Sequence, residues 1–262
     1  MVTIGVDMGA KNVKVVFLRD REVIGQALVT AGLDTQGALI EALETAAREA
    51  GIDYREVPNI VSTGAGRSDV PMAGETITEV KAAVKGALFH FEGVRTVIDV
   101  GAEEGRGVRC DAQGKVLDFV VNEKCAAGAG AFTESMARAL EVPLEEFGRL
   151  SLRSQREIPM NAQCAVFAES EVVSLVHAKT PKEDISRAVH DAIASRISSM
   201  VRRVGIEPEV ALVGGLAHNV GFTDSLHRDL GMELRIPPAP EYAGAIGAAL
   251  VAAEQAEGGA ER

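Results

Sequence analysis

Apolar and polar positions along the chain follow the same pattern twice. One copy, TIGVDMGAKNVKVVFLRDREVIGQ, begins at Thr3, and the other, TVIDVGAEEGRGVRCDAQGKVLDF, begins at Thr96. Each copy is an apolar run that ends in Asp-x-Gly, a few small or polar residues, a second β-type run, a charged turn and a third run. This pattern predicts a strand, a tight turn and returning antiparallel strands. In the superposed copies, Asp7 and Asp99 occupy the same position.

Segments with helical spacing of apolar residues separate and follow the two copies. The predicted helices cover residues 36–51, 79–91, 161–179, 183–204 and 241–255, and a further helix carries Phe132, Met136 and Leu140. The predicted apolar face of the first helix consists of Leu39, Ile40, Leu43 and Ala47. The segment from Asn59 is predicted to be a strand followed by a loop, and residues 256–262 a frayed tail.

Composition narrows the class of protein. The chain has 262 residues, of which 47% are apolar and 4% aromatic, typical of an α/β protein with a core of Val, Ile, Leu and Ala. Its net charge of -11 argues against binding of nucleic acid or of an anionic membrane surface. No apolar run reaches about 18 residues and strand-like sequence begins at once, so neither a membrane span nor a signal peptide is expected. We therefore expect a cytoplasmic protein whose cysteines are reduced.

The repeated carboxylates predict a binding site for a metal-bound nucleotide. In each copy the glycine two residues after the aspartate, Gly9 or Gly101, allows a backbone or a phosphate to come close. Two such turns could face each other across a cleft and hold a metal-nucleotide between their carboxylates. A carboxylate followed by a turn glycine is also a common structural feature, but its recurrence in register favours the functional interpretation.

Two glycine-rich segments lead into helices. Gly128 and Gly130 precede the helix that carries Phe132, where free N–H groups and the positive end of the helix dipole favour an anion. Close packing of the helix explains these two glycines equally well. A buried strand from Val210 breaks at Gly214-Gly215, a turn that could receive a flat ring or a phosphate, or that simply joins a strand to a helix.

The three cysteines are Cys110, Cys125 and Cys164. Cys125 stands just before the first glycine-rich segment and Cys164 near the start of a predicted helix, and a thiolate is stabilised electrostatically at such places. The alternative is that both are small buried hydrophobic residues, which is the commonest role of a free cysteine.

The order of these elements resembles the actin-like ATPase fold shared by sugar kinases, Hsp70 chaperones and actin, over nearly the whole chain. The resemblance implies an α/β protein with two ribonuclease-H-like lobes around a nucleotide cleft. Lobe I would cover residues 1–92, with the helix in 241–262 packing back on it, and lobe II would cover residues 93–240.

The same resemblance assigns roles to the repeated motifs. Asp7 and Asp99 would position Mg²⁺ through water, and Gly214 and Gly215 would form the adenosine motif. The two phosphate loops would contain Gly9, Ala10 and Lys11 in the first copy, and Gly101 and Ala102 in the second.

The surroundings of two cysteines resemble a narrower family. NEKCAAGAG around Cys125 and QCAVFAESE around Cys164 are similar to segments of the ATPases that activate 2-hydroxyacyl-CoA dehydratases and serve benzoyl-CoA reductases. That resemblance implies that Cys125 and Cys164 are ligands of a 4Fe–4S cluster. Such a cluster takes four thiolates, so two chains would each supply a pair and the cluster would bridge them. Cys110 has no counterpart in the motif and is expected to be structural.

The second phosphate loop departs from the pattern of that family. Dehydratase activators usually carry Gly-Gly-Gln-Asp where this chain has Gly101-Ala102-Glu103-Glu104. The following segment, GRGVR from Gly105 to Arg109, is more like the D-type ATPase subunit of benzoyl-CoA reductase. Which glutamate, Glu103 or Glu104, positions the attacking water stays open.

The resemblance therefore implies an ATPase subunit that carries electrons from reduced ferredoxin to an aromatic acyl-CoA (benzoyl-CoA) reductase, with Asp7, Asp99, Glu103 and Glu104 as catalytic residues. Its partners would be a homologous ATPase subunit, in a homodimer or heterodimer, and acyl-CoA-binding reductase subunits. One alternative is a homodimeric activator of a 2-hydroxyacyl-CoA dehydratase. Another is a small-molecule kinase of the same fold, which would need a catalytic aspartate as base and would have no reason for paired cysteines.

Overall fold

The computed structural model describes residues 1–122, 130–160 and 164–260, with side chains to residue 258 at the C-terminal end. Cys125 and Gly128 of the sequence predictions lie outside the described residues. The chain divides into two compact units. The first comprises Met1–Val94, Cys110–Val116 and the described part of Glu241–Arg262. The second comprises Arg95–Arg109 and the described part of Leu117–Pro240.

Groups of strands and groups of helices follow one another along the described chain, as expected for an α/β protein. The strands are β1 (Val2–Met8), β2 (Asn12–Arg19), β3 (Glu22–Thr30), β4 (Ile60–Thr63), β5 (Glu75–Thr76), β6 (Thr96–Val100), β7 (Gly105–Cys110), β8 (Val116–Asn122), β9 (Val210–Val213) and β10 (Leu234–Arg235). The helices are α1 (Thr35–Ala50), α2 (Glu79–His90), α3 (Gly130–Ala139), α4 (Leu144–Ser151), α5 (Ala165–His177), α6 (Lys182–Arg202), α7 (Val220–Leu230) and α8 (Ala243–Ala260). No helix in these ranges is both long and apolar enough to cross a bilayer.

The two sheets have the same plan, which confirms the repeat seen in the sequence. The first has the order β3-β2-β1-β4-β5, and the second, read in the matching direction, the order β8-β7-β6-β9-β10. In each, the second strand of the copy pairs antiparallel with the first, and a strand from much later in the chain pairs parallel with it. The repeat therefore extends beyond the predicted hairpins to β4 and β9.

Local sequence signals explain the limits of the helices. Asp34 accepts the N–H of Gly37 at the start of α1, and Gly51 ends that helix in the left-handed conformation that glycine adopts without strain. The predicted apolar face of α1 is correct for Leu39, Leu43 and Ala47, but Ile40 is exposed. Ile40 lies 100° round the helix from Leu39, and the smaller Ala38 is buried in its place.

Two helical segments differ from the sequence predictions. α4 was not predicted, because its eight residues are too few to show a clear period, although Phe147 is completely buried. α8 continues to Ala260, so the prediction of a frayed tail from residue 256 is wrong over its described part. Alanine, glutamate and glutamine between residues 252 and 257 favour continuation of the helix.

α8 packs tightly within the first unit, against α2, β1 and β4. A Cβ atom on Gly86 of α2 would overlap the carbonyl group of Ala243, and one on Gly247 of α8 would overlap that of Ala82. The two helix backbones are therefore in direct contact. The small residues predicted for 241–255 serve this close approach.

A histidine lies in the core of the second unit. His190 of α6 is completely buried, and its ring lies 4.7 Å from that of Phe147, between centroids. Its Nδ1 is 2.7 Å from the carbonyl oxygen of Ser186, so that nitrogen carries the proton of a neutral imidazole. Burial lowers the pKa of His190 to about 4, against the opposing effects of the Ser186 carbonyl, the Asp191 charge and Asn219.

We predict that His190 makes the protein less stable as the pH falls from 6.5 towards 4. In this window the unfolded chain binds a proton that the folded chain excludes, so acid favours unfolding. For a folded pKa of about 4, this one residue lowers the free energy of unfolding by about 2 kcal/mol between pH 8 and pH 5. Urea unfolding at pH 8 and pH 5 should show that the free energy of unfolding falls less in His190→Gln than in the unchanged protein. His227→Gln, an exposed position on α7, is the control and should leave the difference unaltered. An equal loss in all three proteins would contradict the prediction.

Candidate functional site

The first predicted aspartate lies near the end of β1 and is held by a base on the neighbouring strand. Asp7 is directly opposite Lys14 of β2 in the antiparallel register. Lys14 Nζ donates to Asp7 Oδ2 at 2.8 Å, and both side chains are only 15% exposed. Largely buried ion pairs of this kind fix a carboxylate more firmly than exposed pairs do.

The turn after β1 brings the predicted first phosphate loop next to this ion pair. The N–H of Gly9 donates to the Asn12 carbonyl at 3.1 Å, which closes the turn, and Ala10 and Lys11 are exposed at its tip. A Cβ on Gly9 would lie 2.9 Å from Lys14 Nζ. The ammonium group therefore lies at the glycine of the Asp-x-Gly motif, a position that sequence reasoning did not assign.

The second aspartate has the same arrangement in β6. Asp99 is opposite Arg106 of β7, which donates to Asp99 Oδ2 at 3.0 Å, with side chains 15% and 11% exposed. Arg106 also pairs with Glu104. The N–H of Gly101 donates to the Glu104 carbonyl at 2.9 Å and closes the turn as Gly9 does in the first copy. Both basic residues follow their aspartate by seven positions, a signal in the sequence that could have identified them.

A glycine with a left-handed backbone lies against each aspartate. Gly64 follows β4 with φ of 95°, and Gly214 follows β9 with φ of 87°. A Cβ on Gly64 would lie 2.6 Å from Asp7 Oδ1, and one on Gly214 would lie 2.6 Å from Asp99 Oδ1. Gly214 was predicted as part of a nucleotide motif, whereas Gly64 was only part of a loop. The likeness of IVSTG (60–64) to VALVG (210–214), each a short strand followed by glycine, could have revealed it.

The start of α3 supports the second loop through its amides. The N–H of Gly130 donates to the Gly101 carbonyl at 2.9 Å, and the N–H of Ala131 donates to the Ala102 carbonyl at 2.8 Å. These two amides position the loop backbone rather than being presented to an anion. Gly128, the other glycine of that prediction, lies outside the described residues.

The Gly214-Gly215 turn leaves space beside its second glycine. The N–H of Gly214 donates to the Pro240 carbonyl at 2.9 Å, which fixes the turn. No described atom lies within 4 Å of a Cβ built on Gly215. The predicted adenosine motif is thus closed to a side chain at its first glycine and open at its second.

The described cysteines differ in surroundings. Cys164 is partly exposed and occupies the N-cap position of α5. Cys110 is completely buried, with its Sγ 3.6 Å from the Val94 carbonyl oxygen. Within the part of the chain that the structure describes, no three His, Cys, Asp or Glu side chains converge on a metal site. Cys125 lies outside those residues.

The carboxylate and the glycine turn of each unit are groups that suit a magnesium nucleotide. Asp7 and Asp99 are oxygen ligands of the kind that Mg²⁺ accepts directly or through water. Each stands beside a glycine turn that a phosphate can approach closely. Cys164 is a suitable ligand for iron, but the described residues of one chain hold too few thiolates for a cluster.

Known proteins of similar sequence and structure extend this picture. The chain is 35% identical to the 2-hydroxyisocaproyl-CoA dehydratase activator of Clostridioides difficile, over 98% of this chain and 97% of the activator. The solved structure of that activator from Clostridium difficile with bound ADPNP has a TM-score of 0.94 to this chain at 34% identity. The superposition covers 100% of this chain and 97% of the activator chain. The D-type subunit of benzoyl-CoA reductase from Thauera aromatica is 31% identical, over 95% of this chain and 92% of its own.

A sugar kinase shares the fold alone. The ROK family glucokinase of Streptomyces griseus has a TM-score of 0.61 at 15% identity and covers 97% of this chain and 100% of its own. The likeness confirms the predicted actin-like ATPase fold. The identity to a dehydratase activator is higher than that to the reductase protein, which goes against the prediction, made from Gly105–Arg109, of a D-type subunit.

The family profile for BadF/BadG/BcrA/BcrD ATPases matches residues 4–252. The chain therefore belongs to the BadF/BadG/BcrA/BcrD ATPase family and has an actin-like ATPase fold with two mixed sheets.

Proposed function

We propose that this protein is an ATP-hydrolysing activator that delivers electrons to a 2-hydroxyacyl-CoA dehydratase. The observation that carries the proposal is its 35% identity to a dehydratase activator over nearly the full length of both chains. Reduced ferredoxin would supply the electron, and the partner dehydratase would bind the acyl-CoA. The chain offers no described feature that we can assign to CoA, so the acyl-CoA chemistry is placed in the partner.

Mg²⁺ and ATP would bind at the repeated turns. Asp7 and Asp99 would hold Mg²⁺ through water, because each carboxylate is fixed by a neighbouring base and stands beside a glycine turn. The loop amides after each aspartate would approach the phosphates. The open side of Gly215 would accept the adenine ring. The activator of similar structure was solved with an ATP analogue, which supports nucleotide binding.

We place a 4Fe–4S cluster at Cys125 and Cys164 of two chains. The cap position of Cys164 on α5 favours the negative charge of a ligated cluster. When bound, the cluster supplies one-electron chemistry at low potential. Two cysteines per chain make a second chain necessary, either another copy or a homologous subunit.

The surface of α5 supports such an assembly. Val166 and Phe167, directly after Cys164, are each 68% exposed, and Val173 and Val176 further along the helix are also exposed. Several large exposed apolar side chains on one helix are consistent with a protein interface. A second chain covering this helix would bring four thiolates together and bury the apolar side chains.

A role with benzoyl-CoA reductase is the second candidate. It is favoured by the segment Gly105–Arg109 and by the relationship to the D-type subunit of that enzyme. Genes for acyl-CoA-reducing subunits beside this gene would favour it over a dehydratase. A sugar kinase function is supported by the fold alone and leaves Cys164 at the start of α5 unexplained.

We predict that Asp99→Asn and Asp7→Asn each reduce ATP turnover at least about 100-fold, because a neutral amide no longer holds the magnesium water shell. The same variants should fail to activate a 2-hydroxyacyl-CoA dehydratase in anaerobic assays with reduced ferredoxin and ATP, in which the unchanged protein does so. ATP turnover and dehydration of the acyl-CoA are the two measurements.

Asp118→Asn is the matched control for these variants, because Asp118 is an exposed carboxylate of β8 whose one hydrogen bond within the described part of the chain comes from the N–H of Phe119. It should retain both activities. Unchanged ATP turnover in Asp99→Asn would remove the proposed magnesium site. Activation of benzoyl-CoA reductase but not of any dehydratase would favour the second candidate.

We predict that Gly215→Val lowers the affinity for ATP at least about 10-fold while the thermal stability of the nucleotide-free protein stays nearly unchanged. A Cβ built on Gly215 has no described atom within 4 Å, so we expect the added side chain to disturb the ligand more than the described protein. Titration with a fluorescent ATP analogue measures the affinity. Gly258→Val, at an exposed site of α8 with equally open space, should bind ATP normally. Equal affinity in both variants would place the adenosine site elsewhere.

We predict that Cys125→Ser and Cys164→Ser each lose both the bound iron and the dimer, because the shared cluster needs all four thiolates. Cys110→Ser should keep both, because Cys110 is completely buried beside Val94. Iron analysis and sedimentation of anaerobically purified proteins give the answer. Full iron content in a monomer would contradict the shared-cluster proposal.

A further inference from the structure

We propose that Glu104 and Arg106 are positioning residues for Asp99, and that Glu103 is therefore the glutamate that acts on the attacking water. The inference deepens the proposed ATPase function and rests on it. It assigns different roles to two adjacent acids that the sequence alone leaves equivalent.

Arg106 connects Asp99 to Glu104. Its guanidinium donates to Asp99 Oδ2 at 3.0 Å through one nitrogen and to Glu104 Oε2 through another. The side chain of Asp99 is 15% exposed, that of Glu104 31% and that of Arg106 11%. Water therefore screens the two ion pairs only partly. A planar guanidinium that is held from two sides has little freedom to turn. Asp99 is thus held in one orientation, with Oδ1 towards Gly214.

A comparison with the first copy shows what Glu104 contributes to the second. The position of Glu104 corresponds to Asn12, whose side-chain oxygen accepts from Thr30 at 3.2 Å. There Lys14 pairs with Asp7, and no acid at residue 12 holds the base from its other side. The turn is otherwise the same, with a glycine N–H donated to the carbonyl of residue 12 or 104. The additional carboxylate therefore serves to hold Arg106.

Glu104 is less free than Glu103 to follow a water, because its Oε2 accepts from Arg106. Rotation of its carboxylate towards a water would remove one of the partners of a largely buried guanidinium, which is costly. Its backbone is fixed too, because its carbonyl accepts the Gly101 N–H and β7 begins at the next residue. Glu103 lies at the exposed tip of the same turn. Its side chain has no hydrogen bond or ion pair with the described residues, so it can turn towards a ligand.

The proposed step is ordinary hydrolysis of ATP. The water oxygen forms a bond to the γ-phosphorus as the bond from that phosphorus to the β,γ-bridging oxygen breaks. ADP leaves with the electron pair of the broken bond, and the Glu103 carboxylate accepts a proton from the water. Asp99 and its two supporting residues take no proton and only hold the magnesium water shell.

Four variants separate these roles. Glu104→Gln and Arg106→Lys should each weaken Mg²⁺-dependent binding of a non-hydrolysable ATP analogue by about 10-fold, as loss of outer-shell support of a metal ligand typically does. Binding of the analogue in EDTA should be unchanged. Glu103→Gln should bind the magnesium analogue normally but lower kcat at least about 10-fold. Glu145→Gln, an exposed acid of α4, should match the unchanged protein in every measurement.

The reverse pattern would overturn the inference. If Glu104→Gln lowers kcat while Mg²⁺-dependent binding is unaltered, Glu104 itself acts on the water. If Glu103→Gln retains full kcat, Glu103 has no such role. Failure of the proposed function is distinct, because the unchanged protein would then neither bind the magnesium analogue nor hydrolyse ATP. Arg106→Lys keeps the charge, and its thermal unfolding checks that the altered binding is not a loss of fold.

Discussion

The contact between each aspartate and a left-handed glycine is the constraint on which both units depend. Parallel pairing places Asp7 beside Thr63 and Asp99 beside Val213, and the next residue must turn away without a side chain. Any Cβ there would strike the carboxylate and the backbone after it. The parallel strand pairing and the position of the carboxylate are therefore coupled, so that neither can shift without the other.

Charge balance within each unit follows from that arrangement. A carboxylate enclosed by backbone needs a nearby cation, and in antiparallel pairing the residue directly opposite can supply it. Lys14 and Arg106 meet this need in equivalent places but are chemically different. Lysine provides a point charge for one partner, whereas arginine has a planar set of donors for two. The second unit uses this capacity, because Arg106 also pairs with Glu104.

Features encoded over short stretches of sequence were predictable. The two sets of hairpins follow from alternating apolar runs and charged turns, and the ends of α1 follow from Asp34 and Gly51. The parallel partners of β1 and β6 were not predictable, because parallel pairing joins segments separated by a long stretch of chain and leaves no local signal. For the same reason Gly64 looked like an ordinary loop residue, and the use of the Gly130 amide by the second loop could not be read from its own segment.

The packing of α8 has a consequence for the order in which the protein folds as it is synthesised. Domains commonly fold from the N-terminus as the chain emerges from the ribosome. Here the first unit contains residues from both ends of the described chain, and α8 covers β1 and α2. The apolar residues of β1 therefore remain without their helix cover until residues 243–260 have been made, whereas every segment of the second unit has by then been translated. The unit that begins first along the chain is the one completed last.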